Sequence, residues 1–355
     1  MKLGFLIGAW SGAQFRLPVE RIRLVEDLGY DSVWSSEAYG ADALTPLAYL
    51  AAVTDRIRLG TAVVQISART PAATAMAFAT IDEMAGRGRV IAGLGLSGPQ
   101  IVEGWYGIPW GKPIARTRDT VAIMRQVFRR EGPVAHEGEA ISLPYHGPDA
   151  LGVGKPLKSI MHTNPDLPIF IAAGGPANVA LTAEVADGWI PMGLNPTNAH
   201  EYRPALERGA ARSGRSLDTL EIHSGCSVRI TDDVAGTLGA MKPQTAFFIG
   251  GYGTRDHNFH RDAMVRRGYR AEAERIQELF LAGRRDEAAA TVPDEYLDDG
   301  GLFGSPKRIE ARLQPWLSCG ITSLTVNTEQ DEALELVADL VGTERSGERK
   351  VGGTR

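Results

Sequence analysis

The chain has 355 residues, 43% of them hydrophobic, and a formal net charge of −5 at pH 7. That length holds one large domain or two ordinary ones, and an acidic balance without a basic stripe argues against nucleic acid as a partner. No apolar stretch reaches the roughly 18 residues of a membrane span, and no secretory leader is evident. The two cysteines, Cys226 and Cys319, are too few for a disulfide framework or a zinc cluster. A cytoplasmic protein fits these features.

Strand and helix alternate from the start. Apolar runs at residues 3–7, 32–34, 57–64 and 89–94 read as strands, and helical spacing at 18–28, 44–53 and 71–84 separates them. Each unit is the size of a βα repeat. Residues 95–111 are rich in Gly and Pro and read as a long loop before a helix at 116–129. Residues 132–167 look like an excursion with a short hairpin. Strand patterns return at 168–173, 189–192, 220–230 and 321–326. Residues 231–319 read as mostly helical, with an amphipathic stretch at 271–282. The tail at 343–355 is charged and Gly-rich, as disordered segments are.

Eight strand candidates with intervening helices fit a closed (β/α)8 TIM barrel, with insertions after strands 4 (95–167) and 7 (231–319) in one domain of residues 1–342. The rival is a doubly wound open sheet. It lacks its G-x-G-x-x-G fingerprint after the first strand, and Gly93-Leu94-Gly95 opens no helix. A nucleophile elbow, G-x-S-x-G, is also missing, which argues against a hydrolase. A barrel places its site at the C-terminal strand ends, which selects residues 9–14, 35–39, 62–70, 95–105, 174–178, 192–195 and 223–227.

The stretch PIFIAAGGPANVALTAEVADGW at 168–189 is the most informative. A buried strand stops at Gly174-Gly175-Pro176 and a helix opens at once. Unpaired N–H groups and the positive end of the helix dipole then suit a phosphate. A plain tight turn is the competing reading. Other candidates carry two readings each. Trp10, Trp105, Tyr106 and Trp110 either wall an apolar pocket or pack loops. His223 is a candidate acid or a satisfied core histidine. His257 and His260, three apart, suit one helix face but lack further metal ligands, so no metal site is expected.

Taken together, EDLGYDSVWSSEAY (26–39), LTPLAYLAAVTDRIRLGTAV (44–63), RTPAATAMAFATIDEMAGRGRVIAGLGLSG (69–98), SGPQIVEGWYG (97–107) and IFIAAGGPANVALTAEVADGW (169–189) resemble the luciferase-like family of flavin and deazaflavin oxidoreductases. The closest likeness is to its branch using coenzyme F420, an 8-hydroxy-5-deazaflavin. The resemblance implies a barrel with the cofactor ring across the strand ends, hydride transfer to or from an organic substrate, and a homodimer. It places Glu37 near the ring, or leaves it a solvated loop carboxylate. Ala62-Val63 falls on a strand-three bulge, often held by a non-proline cis peptide, behind the ring. Gln65 falls near the ring, Ser97 and Gly98 meet the cofactor tail, and Gly174, Gly175, Ala177 and Asn178 hold the phosphate.

Several deazaflavin dehydrogenases carry a His directly after the strand-two acidic residue and a Glu in the strand-four loop. Here the first position is Ala38, and residues 97–101 hold no Glu. Tyr39, Glu103 or solvent is therefore the expected proton source. Arg69 would reach the anionic tail or pair with a carboxylate. Arg255, Arg261, Arg266 and Arg267 form either a solvated face or a polyglutamate-tail site. Two alternatives stand beside the F420 oxidoreductase: an FMN-dependent monooxygenase fed reduced flavin by a partner reductase, and a flavin- or deazaflavin-binding protein without turnover.

Overall fold

The computed structural model describes residues 1–7 and 15–345. Eight parallel strands, each short and largely buried, form its centre. They are β1 (Lys2–Leu6), β2 (Ser32–Ser35), β3 (Arg58–Thr61), β4 (Val90–Gly95), β5 (Ile169–Ala173), β6 (Gly188–Pro191), β7 (Glu221–Ile230) and β8 (Ser323–Asn327). Each pairs with the next in chain order, and β8 pairs with β1. The sheet therefore closes on itself, as a (β/α)8 barrel does.

Large and small residues alternate inside the cylinder. Trp34, Ile91 and Phe170 fill it. Gly60 and Gly188 make room, because a Cβ on either would lie within 2.5 Å of the Trp34 or Phe170 ring. His223 meets both rings edge-on at 5.1 Å between centroids. Helices cover the outside; Val19–Asp27, Leu44–Ala51 and Pro71–Met84 turn Ile22, Leu47 and Phe78 inward. The last opens with Pro71 in its first turn and Thr70 Oγ1 accepting from Ala73 N–H at 3.4 Å.

Charges close the N-terminal end. Arg58 bonds both Asp31 and Glu221, Lys2 bonds Glu221, and His223 Nε2 sits 3.0 Å from Glu221 Oε2. His223 is thus a core histidine held through Nε2, its buried Nδ1 without a partner, at the end of the barrel away from the strand mouths, not an acid at the site.

The two insertions build the other end. After β4 come a short helix, Pro99–Gly104, and the helix Pro113–Arg129. A two-residue hairpin follows, His136–Glu137 with Ser142–Leu143, held by Asp119, which accepts from Ala140 N–H and Ile141 N–H. After β7 come Val234–Gly250, Phe259–Arg266 and Arg270–Leu281, with a core of their own around Ile249, Met264, Ile276 and Leu279.

Two details differ from the sequence reading. The 95–111 stretch contains a helical turn, which Pro99 starts in the N1 position. A strand at Gly301–Gly304, inside a stretch read as mostly helical, adds to the outer half of β7. As the resemblance implied for Ala62-Val63, the third strand breaks after Thr61 and resumes as Val64–Gln65, which pairs with β4. Of the tail, Thr343 is docked through its Oγ1 on the Leu28 carbonyl, and 346–355 lie outside the described residues. So do Trp10 and the 9–14 strand end. Among the described residues no helix is long and apolar enough to cross a membrane.

Candidate active site

The site begins where β3 breaks. The Ala62–Val63 peptide is cis. The chain passes so close to β4 that a Cβ on Gly93 would lie 1.7 Å from the Thr61 carbonyl oxygen, and one on Gly95 2.3 Å from Val63 Cγ2. The two glycines that imitate half a dinucleotide fingerprint are there for this close approach.

Glu37, beyond the end of β2, faces the same break. Its side chain is only 4% exposed and pairs with Arg69 Nη1 at 2.9 Å. It also accepts from Gln65 N–H at 3.2 Å. Arg69 thus pairs with a buried carboxylate and does not line the cavity. Gln65 Nε2 donates to the Glu37 carbonyl at 3.2 Å, while Gln65 Oε1 is buried without a partner.

Across the mouth, β5 runs into the glycine corner. Gly175 caps the helix Pro176–Val185, and no side chain bonds its N-terminus. Asn178 Nδ2 contacts the Ala172 carbonyl at 3.5 Å and leaves Oδ1 unpartnered. Arg266, at the end of Phe259–Arg266, reaches this corner: one guanidinium nitrogen lies 3.5 Å from where a Gly174 Cβ would stand, and Nε has no partner. The corner therefore joins a helix N-terminus to a partly buried cation, a suitable pairing for an anion.

A cavity of about 500 Å³ connects the break to the corner. Its wall includes every position the resemblance assigns to the cofactor: Glu37, Ala62, Val63, Gln65, Ser97, Gly98, Gly174, Gly175, Ala177 and Asn178. The insertions complete the enclosure. Gln100, Trp110 and Ile114 come from the first, Tyr252, Phe259, His260 and Arg266 from the second. Gln100 Nε2 donates to the Tyr252 carbonyl and leaves its Oε1 without a partner, and Trp110 meets Phe259 at 6.5 Å. Buried polar groups are normally satisfied. Four unsatisfied ones on one cavity, acceptors at Gln65, Gln100 and Asn178 and a donor at Arg266, mark it as built for a polar ligand.

His260 stacks on Phe248 at 4.9 Å, and burial pushes its imidazole down to about 4. It is neutral at pH 7. Burial, and then the Glu37 charge, push the Tyr106 phenol up to about 12. Tyr39 and Glu103, expected as proton sources, lie outside the cavity wall. Tyr39 is half exposed beside Trp105, and Glu103 accepts from Trp110 N–H at 3.2 Å.

His257 and His260 do not share a helix face, because the helix starts only at Phe259. Among the described residues no group of three or more His, Cys, Asp or Glu side chains is placed to hold a metal. Arg267 is not a tail contact, since it packs 4.0 Å over the Tyr296 ring. Sequence reasoning did not single out Gln100 or Tyr252, and weighed His260 only as a metal ligand. Their elements are insertions whose path over the mouth has no local pattern.

Family profiles and known structures agree with this architecture. The luciferase-like monooxygenase profile matches residues 6–323. A Mycobacterium tuberculosis protein named "putative coenzyme F420-dependent oxidoreductase" is 44% identical over 96% of this chain and 99% of its own length. The 5,10-methylenetetrahydromethanopterin reductase of Archaeoglobus fulgidus is 28% identical over 91% and 92%. The fold matches that of the coenzyme F420-dependent tetrahydromethanopterin reductase of Methanopyrus kandleri, with a TM-score of 0.76, 23% identity and coverage of 97% of this chain and 99% of that one. The chain is an enzyme of the luciferase-like monooxygenase family.

Proposed function

We propose that this enzyme is an oxidoreductase that binds coenzyme F420 in the 500 Å³ cavity and moves hydride between it and a small organic substrate. The observation that carries the reading is the pattern of unsatisfied groups. The anion corner at Gly174, Gly175, Ala177 and Arg266 fits the cofactor phosphate. The unpaired acceptors of Gln65, Gln100 and Asn178 fit a ligand rich in hydroxyl and N–H donors. A deazaflavin with its polyhydroxyl chain has both. When bound, it supplies a two-electron hydride centre on its ring.

The chain's own groups do the rest. Ala62 and Val63 form an apolar floor, Gln65 orients the ring's polar edge, and the two insertions exclude water above it. A second groove shares Arg266 with the corner and is lined also by Arg261, Asp262, Val265, Arg270 and Glu274, with Arg261 paired to Asp262 and Arg270 to Glu274. The 44% identical relative named as F420-dependent favours F420 over FMN.

Titration of the purified protein with F420 and with FMN, followed by fluorescence quenching, tests the assignment. Tight F420 binding and weak FMN binding are expected, followed by hydride exchange visible at the deazaflavin absorbance band. Tight FMN binding with little F420 affinity contradicts it. F420 binding without exchange for any acceptor leaves a carrier instead.

A further inference from the structure

A glycine inside a packed barrel normally makes room for a neighbour. Gly60 and Gly188 do so, each with a ring carbon within 2.5 Å of where a Cβ would stand. Gly225, in the middle of β7, does not. It shares the inward face of His223, whose ring meets Trp34 and Phe170, because side chains two apart on a strand point the same way. Yet Gly225 is exposed, and no described residue comes within 4 Å of where its Cβ would stand. Its φ is not positive. Its pairing with β8 runs unbroken from His223–Ser323 to Ser227–Asn327. Neither a turn nor a bulge therefore calls for glycine here. A glycine in a strand interior costs stability, and the close approach of a ligand is the reason left for it.

The barrel mouth around Gly225 is uncharged. Thr325, its register partner on β8, turns its hydroxyl inward, since a Cβ on Gly4 would lie 2.9 Å from both Thr325 Oγ1 and Trp34 Nε1. That hydroxyl bonds no other described residue. Leu6 from β1, Ala62 from the break after β3 and Ile190 from β6 rest on Trp34, Ile91 and Phe170, and each is partly exposed. Ala62 also lines the cofactor cavity, so the two spaces adjoin.

We propose that Gly225 sets substrate specificity. The reacting end of the substrate, an uncharged group bearing a carbonyl or hydroxyl oxygen, rests against Gly225 with that oxygen on the Thr325 hydroxyl. The class follows from the lining. An ionised group would find no counter-charge on this floor. A threonine hydroxyl donates or accepts, and so serves an oxygen of either kind. Leu6 and Ile190 supply apolar contact. The bulk of residue 225 then decides what the mouth admits. This inference rests on the F420 reading and adds the substrate end to it.

The test uses full-length protein loaded with oxidised F420, which has no hydride to give, and cyclohexanone as an uncharged probe. Crystals of the wild-type complex are soaked with cyclohexanone to locate it. Titrations followed by the deazaflavin absorbance compare wild type, Gly225→Ala, Gly225→Leu and Thr325→Val. Expected is density against Gly225, with the ketone oxygen at hydrogen-bond distance from Thr325 Oγ1. Affinity should fall at least tenfold in Gly225→Leu, less in Gly225→Ala, and about fivefold in Thr325→Val. F420 affinity should stay within about twofold in all of them, and the melting temperature of Gly225→Ala should be unchanged or higher, which a structural role for Gly225 would not allow. Cyclohexanone absent from Gly225 in the wild type, or bound equally by Gly225→Leu, overturns the substrate assignment while F420 binding stands. A wild type that fails to bind F420 overturns the functional reading and this one with it.

Discussion

Glu37 and Gln65 exchange two hydrogen bonds across the mouths of β2 and β3. The Gln65 N–H donates to Glu37 Oε1 and the Gln65 Nε2 to the Glu37 carbonyl, each at 3.2 Å. This pairing fixes the amide: with Nε2 committed, Oε1 is the atom left without a partner. In the proposed F420 reading, Glu37 acts by holding the residue that presents an acceptor to the ring.

Glu37→Gln should therefore weaken F420 binding by about tenfold, the scale of one misplaced charge-assisted contact. Glu37→Ala should in addition lower stability by about 2 kcal/mol, because it strands Arg69 beside a largely buried space. Urea unfolding of the apo protein measures the second effect, and fluorescence titration the first. Unchanged F420 affinity in Glu37→Gln removes the positioning role.

Gly95→Ala should cost about 1–3 kcal/mol, because the new methyl would stand 2.3 Å from Val63 Cγ2. Pairing it with Val63→Ala removes the obstructing methyl and should return most of the loss. Thermal unfolding of the two single variants and the double variant gives the coupling. Additive losses would contradict the contact.

Arg266→Ala should separate the phosphate from the ring. F420 affinity is expected to fall at least tenfold, and its salt dependence to flatten. The phosphate-free deazaflavin chromophore should bind both proteins equally. Equal losses for the two ligands would show that Arg266 supports the cavity instead of contacting an anion.

The charged cluster at the closed end sets a pH dependence. Burial depresses His223 below its ordinary 6.5. Burial alone would raise Glu221, but hydrogen bonds from His223, Arg58 and Lys2 hold it well below its ordinary 4.5. Both native-state values lie under the unfolded ones, so both contributions are full at neutral pH and are lost as pH falls. Stability should begin to drop below about pH 6.5 and fall more steeply below about 4.5. Urea midpoints across pH 3–8 test this; Glu221→Gln should be less stable than the wild type at neutral pH, and the gap should close as pH falls below about 4.5.

The barrel was legible because buried parallel strands write themselves as apolar runs such as IFIAA, separated by helices whose apolar residues recur on one face. The glycine corner was legible because its turn requires Gly174-Gly175-Pro176 in one short segment. Local pattern does not reveal which distant groups meet. Arg266 stands almost a hundred residues from Gly174 in the chain, and only tertiary packing brings them together. The break at Ala62–Val63 was legible only through the family resemblance, because both residues are apolar and by themselves read as continuous strand. His257 and His260 appeared to share a face until Asn258 proved to be the helix cap, accepting from His260 N–H and Arg261 N–H.

A crystal structure of the protein soaked with F420 tests the central assignment most directly. Expected is density for the phosphate against the N–H groups of Ala177 and Asn178 and the Arg266 guanidinium, with the ring lying over Ala62 and Val63. Density for the compound elsewhere, with the glycine corner empty at saturating concentration, would contradict it.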